Sequence, residues 1–136
     1  MSGVAVVGAS AAGLSVVETL RLEGFDGRIT LVGEETELPY DRPPLSKEIL
    51  AGAWPEERAR LCNESMLAGY DVDLRLGTRA TGVDPIARKV ELDDGSAVSY
   101  DELVVATGVR PRRLPGSEAI FSAPRWRRWP ARPAPR

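Results

Sequence analysis

Histidine is absent from all 136 residues, and cysteine occurs once, at Cys62. Without histidine, a zinc site loses its commonest nitrogen ligand and acid–base catalysis its usual group. A single cysteine excludes a disulfide framework and any paired-cysteine redox or metal motif, and Cys62 reads as a buried or loop thiol. No long membrane-spanning run exists. The mostly apolar stretch 4–17 is too short, is interrupted by glycine and follows no basic residue. A buried strand and helix are expected there rather than a signal peptide, and the expected compartment is the cytoplasm. Acid is missing from the last 13 residues, which carry Arg125, Arg127, Arg128, Arg132 and Arg136. Residues 1–123 therefore hold a net charge of −7 against the chain's total of −2. An acidic body and a basic tail need separate explanations.

What is present begins with VAVVGASAAGLSVVETL. It reads as a buried strand over about 3–8, a tight turn and a helix over about 11–23 that Gly24 ends. Arg28 to Val32 forms a second strand, so a βαβ unit fits within about 30 residues. Gly8, Ser10 and Gly13 occupy the positions of a G-x-G-x-x-G phosphate turn, with Ser10 in place of the middle glycine. Such a turn seats a pyrophosphate at the positive end of the helix dipole. Glu34 follows the second strand, 21 residues after Gly13, where a carboxylate can accept hydrogen bonds from both hydroxyls of an adenosine ribose. A Gly-rich turn without a ligand, with Glu34 a solvated acid, is the plainer alternative.

Further along, Pro39, Pro43 and Pro44 are expected to keep the first part of ELPYDRPPLSKEILAG extended, with Ser46 capping a short helix through Leu50. Arg42 and Lys47 flank a rigid Pro-Pro turn, which holds two cations suited to a pyrophosphate or a reduced flavin ring. A second short helix is expected near Glu64–Tyr70 and a third strand over 72–76. RKVELDDGSAVSYD reads as a hairpin turning at Asp93-Asp94-Gly95. Leu103 to Ala106 then forms a buried parallel strand ending in Thr107-Gly108, small residues that let backbone approach a ligand. The expected fold class is α/β, a Rossmann-like parallel sheet with a small antiparallel β-meander before its fourth parallel strand.

GASAAG, LVGEE, LPYDRPPLSKEIL, RLGTRATGVD and DELVVATGVRPRRLPG together resemble the FAD-dependent ferredoxin and rubredoxin reductases of the pyridine nucleotide-disulfide reductase superfamily. The resemblance runs from Val4 to about Ser122 and implies that residues 1–122 are part of an FAD-binding domain. By that resemblance Gly8, Ser10, Ala12 and Gly13 approach the FAD pyrophosphate. Glu34, with Glu35, holds the ribose; Arg42 and Lys47 contact FAD; Ala80 meets the adenine through its backbone; Thr107 and Gly108 lie beneath the cofactor. Members pass hydride from NADH to FAD and single electrons onward to a ferredoxin, so FAD and a small iron–sulfur protein are the implied cofactor and partner. The resemblance assigns neither a catalytic residue nor a metal ligand to this chain.

Family members are several times longer and carry a second dinucleotide domain for NADH. That implies a truncated chain, weak or inactive alone. The other readings are a stand-alone nucleotide-binding module without redox turnover and a protein that interacts through its tail. PRWRRWPARPAPR, with four prolines and two tryptophans, lacks periodicity and is expected to be disordered over 123–136. A basic arm for nucleic acid is one account of it. Translation of a GC-rich gene in a shifted frame, or a misassigned stop, is favoured, because nothing in the body suggests nucleic acid, so no nucleic-acid or membrane partner is expected.

Overall fold

A computed structural model describes residues 3–109 and Pro115. The chain divides into two units, Met1–Tyr40 with Leu61–Gly108, and Asp41–Arg60 with Val109–Arg136. The expected disordered tail lies outside the described residues.

In the first unit, β1 (Gly3–Val7) is buried along its whole length, which accounts for its unbroken apolar run. It pairs in parallel with β2 (Arg28–Gly33) on one side and β7 (Glu102–Val105) on the other. β3 (Val72–Leu76) adds to the far side of β2, giving the parallel order β3-β2-β1-β7. Helix α1 (Ala11–Leu22) buries Leu14 and Val17, as its apolar spacing predicts. Val17 packs with Val4, Val6, Ile29 and Leu31 on one face of the sheet. Full burial of each such aliphatic side chain contributes about 1.5–3 kcal/mol.

The opposite face, through Ala5, Val7 and Val32, meets Val90, Leu92 and Val98. These come from the antiparallel sheet β4 (Ala80–Asp84), β5 (Lys89–Leu92) and β6 (Ala97–Ser99). Helix, parallel sheet and meander are thus three layers, and two cores flank β1. The hairpin turns where expected: Leu92 N–H donates to Ser96 O at 2.9 Å and Gly95 takes φ 81°. Asp94 accepts from the Ser96 N–H and hydroxyl, which hold its carboxyl below the usual range. β4 is a third strand beyond that hairpin. Gly82 and the register irregularity between Ala80 and Gly82 hide its alternation in the sequence.

Helix α2 (Glu64–Gly69) is capped by Asn63, whose side chain accepts from Met66 N–H at 2.8 Å. Its Leu67 packs with Leu14 and Cys62. Cys62 is only 5% exposed, and burial, followed by the Glu18 carboxylate, pushes its thiol pKa up. Iodoacetamide should therefore label native Cys62 at least about tenfold more slowly than the urea-unfolded chain. Because the folded value is raised, this thiol's contribution to stability is complete below the unfolded value of about 8.5 and is lost as pH rises through the folded one. Native labelling at the unfolded rate would contradict this environment.

The second unit overturns two expectations. Residues 43–46 form the expected turn at Pro43-Pro44 but are not extended, and Ser46 does not open a helix. A single 3-10 turn runs Pro43–Ser46, with Ser46 its last residue. Proline at the first helical positions supplies a preset φ and lacks only an N–H that would have no helical partner, so Pro43-Pro44 starts the turn itself. A further 3-10 turn spans Glu56–Ala59, and the Arg58 guanidinium lies 4.0 Å from the centre of the Trp54 ring.

Candidate functional site

All four strands of the parallel sheet run the same way, so their carboxyl ends share one edge. Val7 is level with Val32 on one side and Val105 on the other. The chain leaves β1 through α1 toward β2 and returns to β7 on the opposite flank. The order therefore reverses between β1 and β7, the place where open α/β sheets form a ligand crevice.

Four backbone contacts close the floor of that crevice. Gly8 N–H donates to Val32 O at 2.8 Å, and Ala106 N–H donates to Val7 O at 2.8 Å. Gly8 has φ 118°, and a Cβ there would stand 2.2 Å from Ala106 O. A Cβ on Gly13 would stand 1.8 Å from Gly8 O, so α1 crosses directly over the turn. Neither position has room for a side chain. Together they bring the start of α1, the end of β1 and the end of β7 into backbone contact.

Ser10 is the N-cap residue of α1, extended at φ −125° and ψ −163°, and its hydroxyl makes no capping bond. No acid lies in the first turn. The opening N–H groups of an α-helix have no acceptor within it, and the dipole favours an anion there. Ala11 and Ala12 are exposed beside them. The turn thus offers donors and a positive field with no side chain in the way.

The other expected residues divide. Glu34 follows Gly33 at the end of β2 and is exposed. Glu35 is half-buried; its carboxylate accepts from the Tyr40 hydroxyl, and its carbonyl accepts from Gly77 N–H at 2.9 Å. Of the two acids, Glu34 stands exposed at the strand end, whereas Glu35 tethers the loop. Thr107 and Gly108 follow β7, and Gly108 needs its glycine for φ 67° rather than for space. Ala80 opens β4, half-buried, just after Thr78, whose N–H bonds Gly33 O at 2.9 Å. Arg42 and Lys47 belong to the second unit. There they cap opposite ends of the Pro43–Ser46 turn, both exposed.

Sequence reasoning missed Ala9, Gly33 and Ala106. Gly33 had a signal, a glycine directly before the acid at a strand end, but its neighbour Ala9 is set by the fold. Among the described residues no cluster of three or more His, Cys, Asp or Glu side chains could hold a metal ion. No helix among them is long and apolar enough to cross a membrane.

The sequence profile of pyridine nucleotide-disulphide oxidoreductases matches residues 2–126. The ferredoxin–NAD(+) reductase subunit of the benzene 1,2-dioxygenase system of Pseudomonas putida is 42% identical over 117 residues, 85% of this chain and 28% of that protein. Putidaredoxin reductase, also from Pseudomonas putida, is 42% identical over 125 residues, 91% of this chain and 30% of its own. In the solved covalent complex of putidaredoxin reductase with putidaredoxin, a chain 42% identical superposes with a TM-score of 0.81 over 84% of this chain and 27% of that one. The chain thus spans less than a third of the length of these relatives.

Proposed function

The chain belongs to the pyridine nucleotide-disulphide oxidoreductase family, and on that premise we propose that it holds the ADP half of FAD in an electron-transfer oxidoreductase of the ferredoxin reductase type. The observation that carries this reading is the glycine cradle at the switch point. Side chains at Gly8 and Gly13 would collide with backbone at 2.2 and 1.8 Å, so the turn presents bare backbone and the N-terminus of α1. That surface fits a pyrophosphate.

In this reading the backbone around Gly8, Ser10, Ala12 and Gly13 binds the pyrophosphate, and Glu34 accepts the ribose hydroxyls. The backbone of Ala80 meets the adenine, and Thr107 and Gly108 support the cofactor from the end of β7. Arg42 and Lys47 are proposed as FAD contacts on the family resemblance alone. Glu35 contributes by tethering the loop to Tyr40. Bound FAD would supply the two-electron to one-electron exchange that no side chain here provides. The proposed reductant is NADH, and the proposed acceptor is a small iron–sulfur protein of the ferredoxin kind. One phosphate turn serves one dinucleotide, so these 136 residues alone are proposed to bind flavin with little or no NADH turnover.

Recording the visible spectrum of the purified chain after FAD titration and gel filtration, then adding NADH and a ferredoxin, tests this. A retained flavin spectrum with little ferredoxin reduction is expected. A colourless protein after titration overturns the flavoprotein reading, and rapid reduction of ferredoxin overturns the half-site assignment. Glu34→Gln should weaken FAD binding by about tenfold, through loss of a charged acceptor. Titration by quenching of flavin fluorescence checks it, and an unchanged Kd removes Glu34 from the site.

A further inference from the structure

Gly33 sits between the two parts of the site just described. Its backbone is fixed from both flanks, because Val32 O takes the Gly8 N–H at 2.8 Å and Gly33 O takes the Thr78 N–H at 2.9 Å. A Cβ on Gly33 would lie 2.5 Å from the Ala9 methyl, 3.2 Å from Leu76 Cδ2 and 3.6 Å from Ala9 Cα. Leu76 can rotate its terminal methyl aside. Ala9 cannot yield without moving the Gly8–Ser10 turn, since its methyl is one bond from that backbone. Gly33 has no positive φ, so its requirement is space rather than conformation. Ordinary carbon–carbon contact is about 3.5–4.0 Å, so a methyl here would displace the turn from the end of β2 by roughly 1 Å.

We infer that Gly33, through its contact with Ala9, sets the distance between the phosphate-binding turn and the ribose-binding Glu34, and so is a positioning residue for any ligand that spans both. This rests on the reading of the turn and Glu34 given above. A ligand that reaches only the turn does not sense that spacing. One that carries both a pyrophosphate and an adenosine ribose must match it within the narrow distance range of its hydrogen bonds.

The test compares the full chain with Gly33→Ala, Ala9→Gly and the double variant, each checked for native circular dichroism. FAD and ADP span both parts, whereas inorganic pyrophosphate reaches the turn alone. For Gly33→Ala, FAD and ADP affinities should fall roughly 10- to 100-fold, the loss of one or two charge-assisted hydrogen bonds, while pyrophosphate affinity stays within about threefold. Ala9→Gly removes the opposing methyl, leaving the new one its 3.6 Å contact with the position 9 Cα. The double variant should therefore recover most of the FAD and ADP affinity. A Gly33→Ala chain that binds FAD as wild type does, that loses all three ligands equally, or that Ala9→Gly fails to rescue overturns the inference. A wild-type chain that binds no FAD overturns the underlying reading and this inference with it.

Discussion

Gly13→Ala is expected to destabilise the first unit by about 2–3 kcal/mol and to abolish measurable FAD binding. In an exposed helix interior the same exchange stabilises by roughly 1 kcal/mol, because alanine is the better helix former. Here packing reverses the sign. The added Cβ would lie 1.8 Å from Gly8 O and 3.0 Å from Gly8 C, with Leu31 Cδ1 at 3.3 Å. Two of those three atoms are backbone, so relief requires α1 to lift from the turn, and overpacking of that kind costs about 1–3 kcal/mol or more. Lifting α1 also withdraws its N-terminal donors and loosens Leu14 and Val17 from their cores. Urea denaturation followed by circular dichroism measures the first effect and FAD titration the second. A variant as stable as wild type would show that α1 does not cross the turn as described.

Arg21→Met should lower stability by about 2–4 kcal/mol, and Arg21→Lys by nearly as much. The Arg21 guanidinium donates to the carbonyls of Tyr70 at 2.6 Å, Phe25 at 2.6 Å, Gly27 at 2.9 Å and Asp71 at 3.0 Å. It therefore closes the carboxyl end of α1 onto the α1–β2 loop and onto the turn that enters β3. Asp71 is held there at φ 49°, a conformation most side chains avoid. A planar fork serves four acceptors in different directions. Lysine offers a single point of charge and leaves most of them unmet. For a unit of this size the thermal midpoint should fall by roughly 10 °C or more. A lysine variant that melts with wild type would contradict the clamp.

The sequence revealed most where burial and glycine act together. β1 is buried on both faces and flanked by a turn that only glycine can make, so its apolar run, α1 and β2 are readable directly. β7 is readable as a parallel strand from its apolar run, but it is not buried as expected: its residues are half-buried or exposed, Val105 by 65%, because it stands at the edge of the described sheet. The meander was legible as a hairpin but not as three strands, because β4 carries Gly82 and a register irregularity. The turn at Pro43-Pro44 was legible, but its helical form and its end at Ser46 were not, because proline both extends a chain and starts a helical turn, and only the surrounding packing selects between them. Within the site, Gly8, Gly13 and Glu34 were visible through spacing. Gly33 against Ala9 was not, since their contact joins two different strand ends. Nor was the work of Arg21, which in sequence is merely a cation in the last turn of a helix, or the pairing of Glu35 with Tyr40.

In the proposed function, the chain binds the ADP half of FAD at the crevice between β1 and β7. Competition at equilibrium between FAD, ADP and FMN tests it most directly. FAD should bind, ADP should displace it from a single site, and FMN, which lacks the adenosine and the pyrophosphate, should bind at least about tenfold more weakly. FMN binding as tightly as FAD, or FAD that ADP cannot displace, would contradict it.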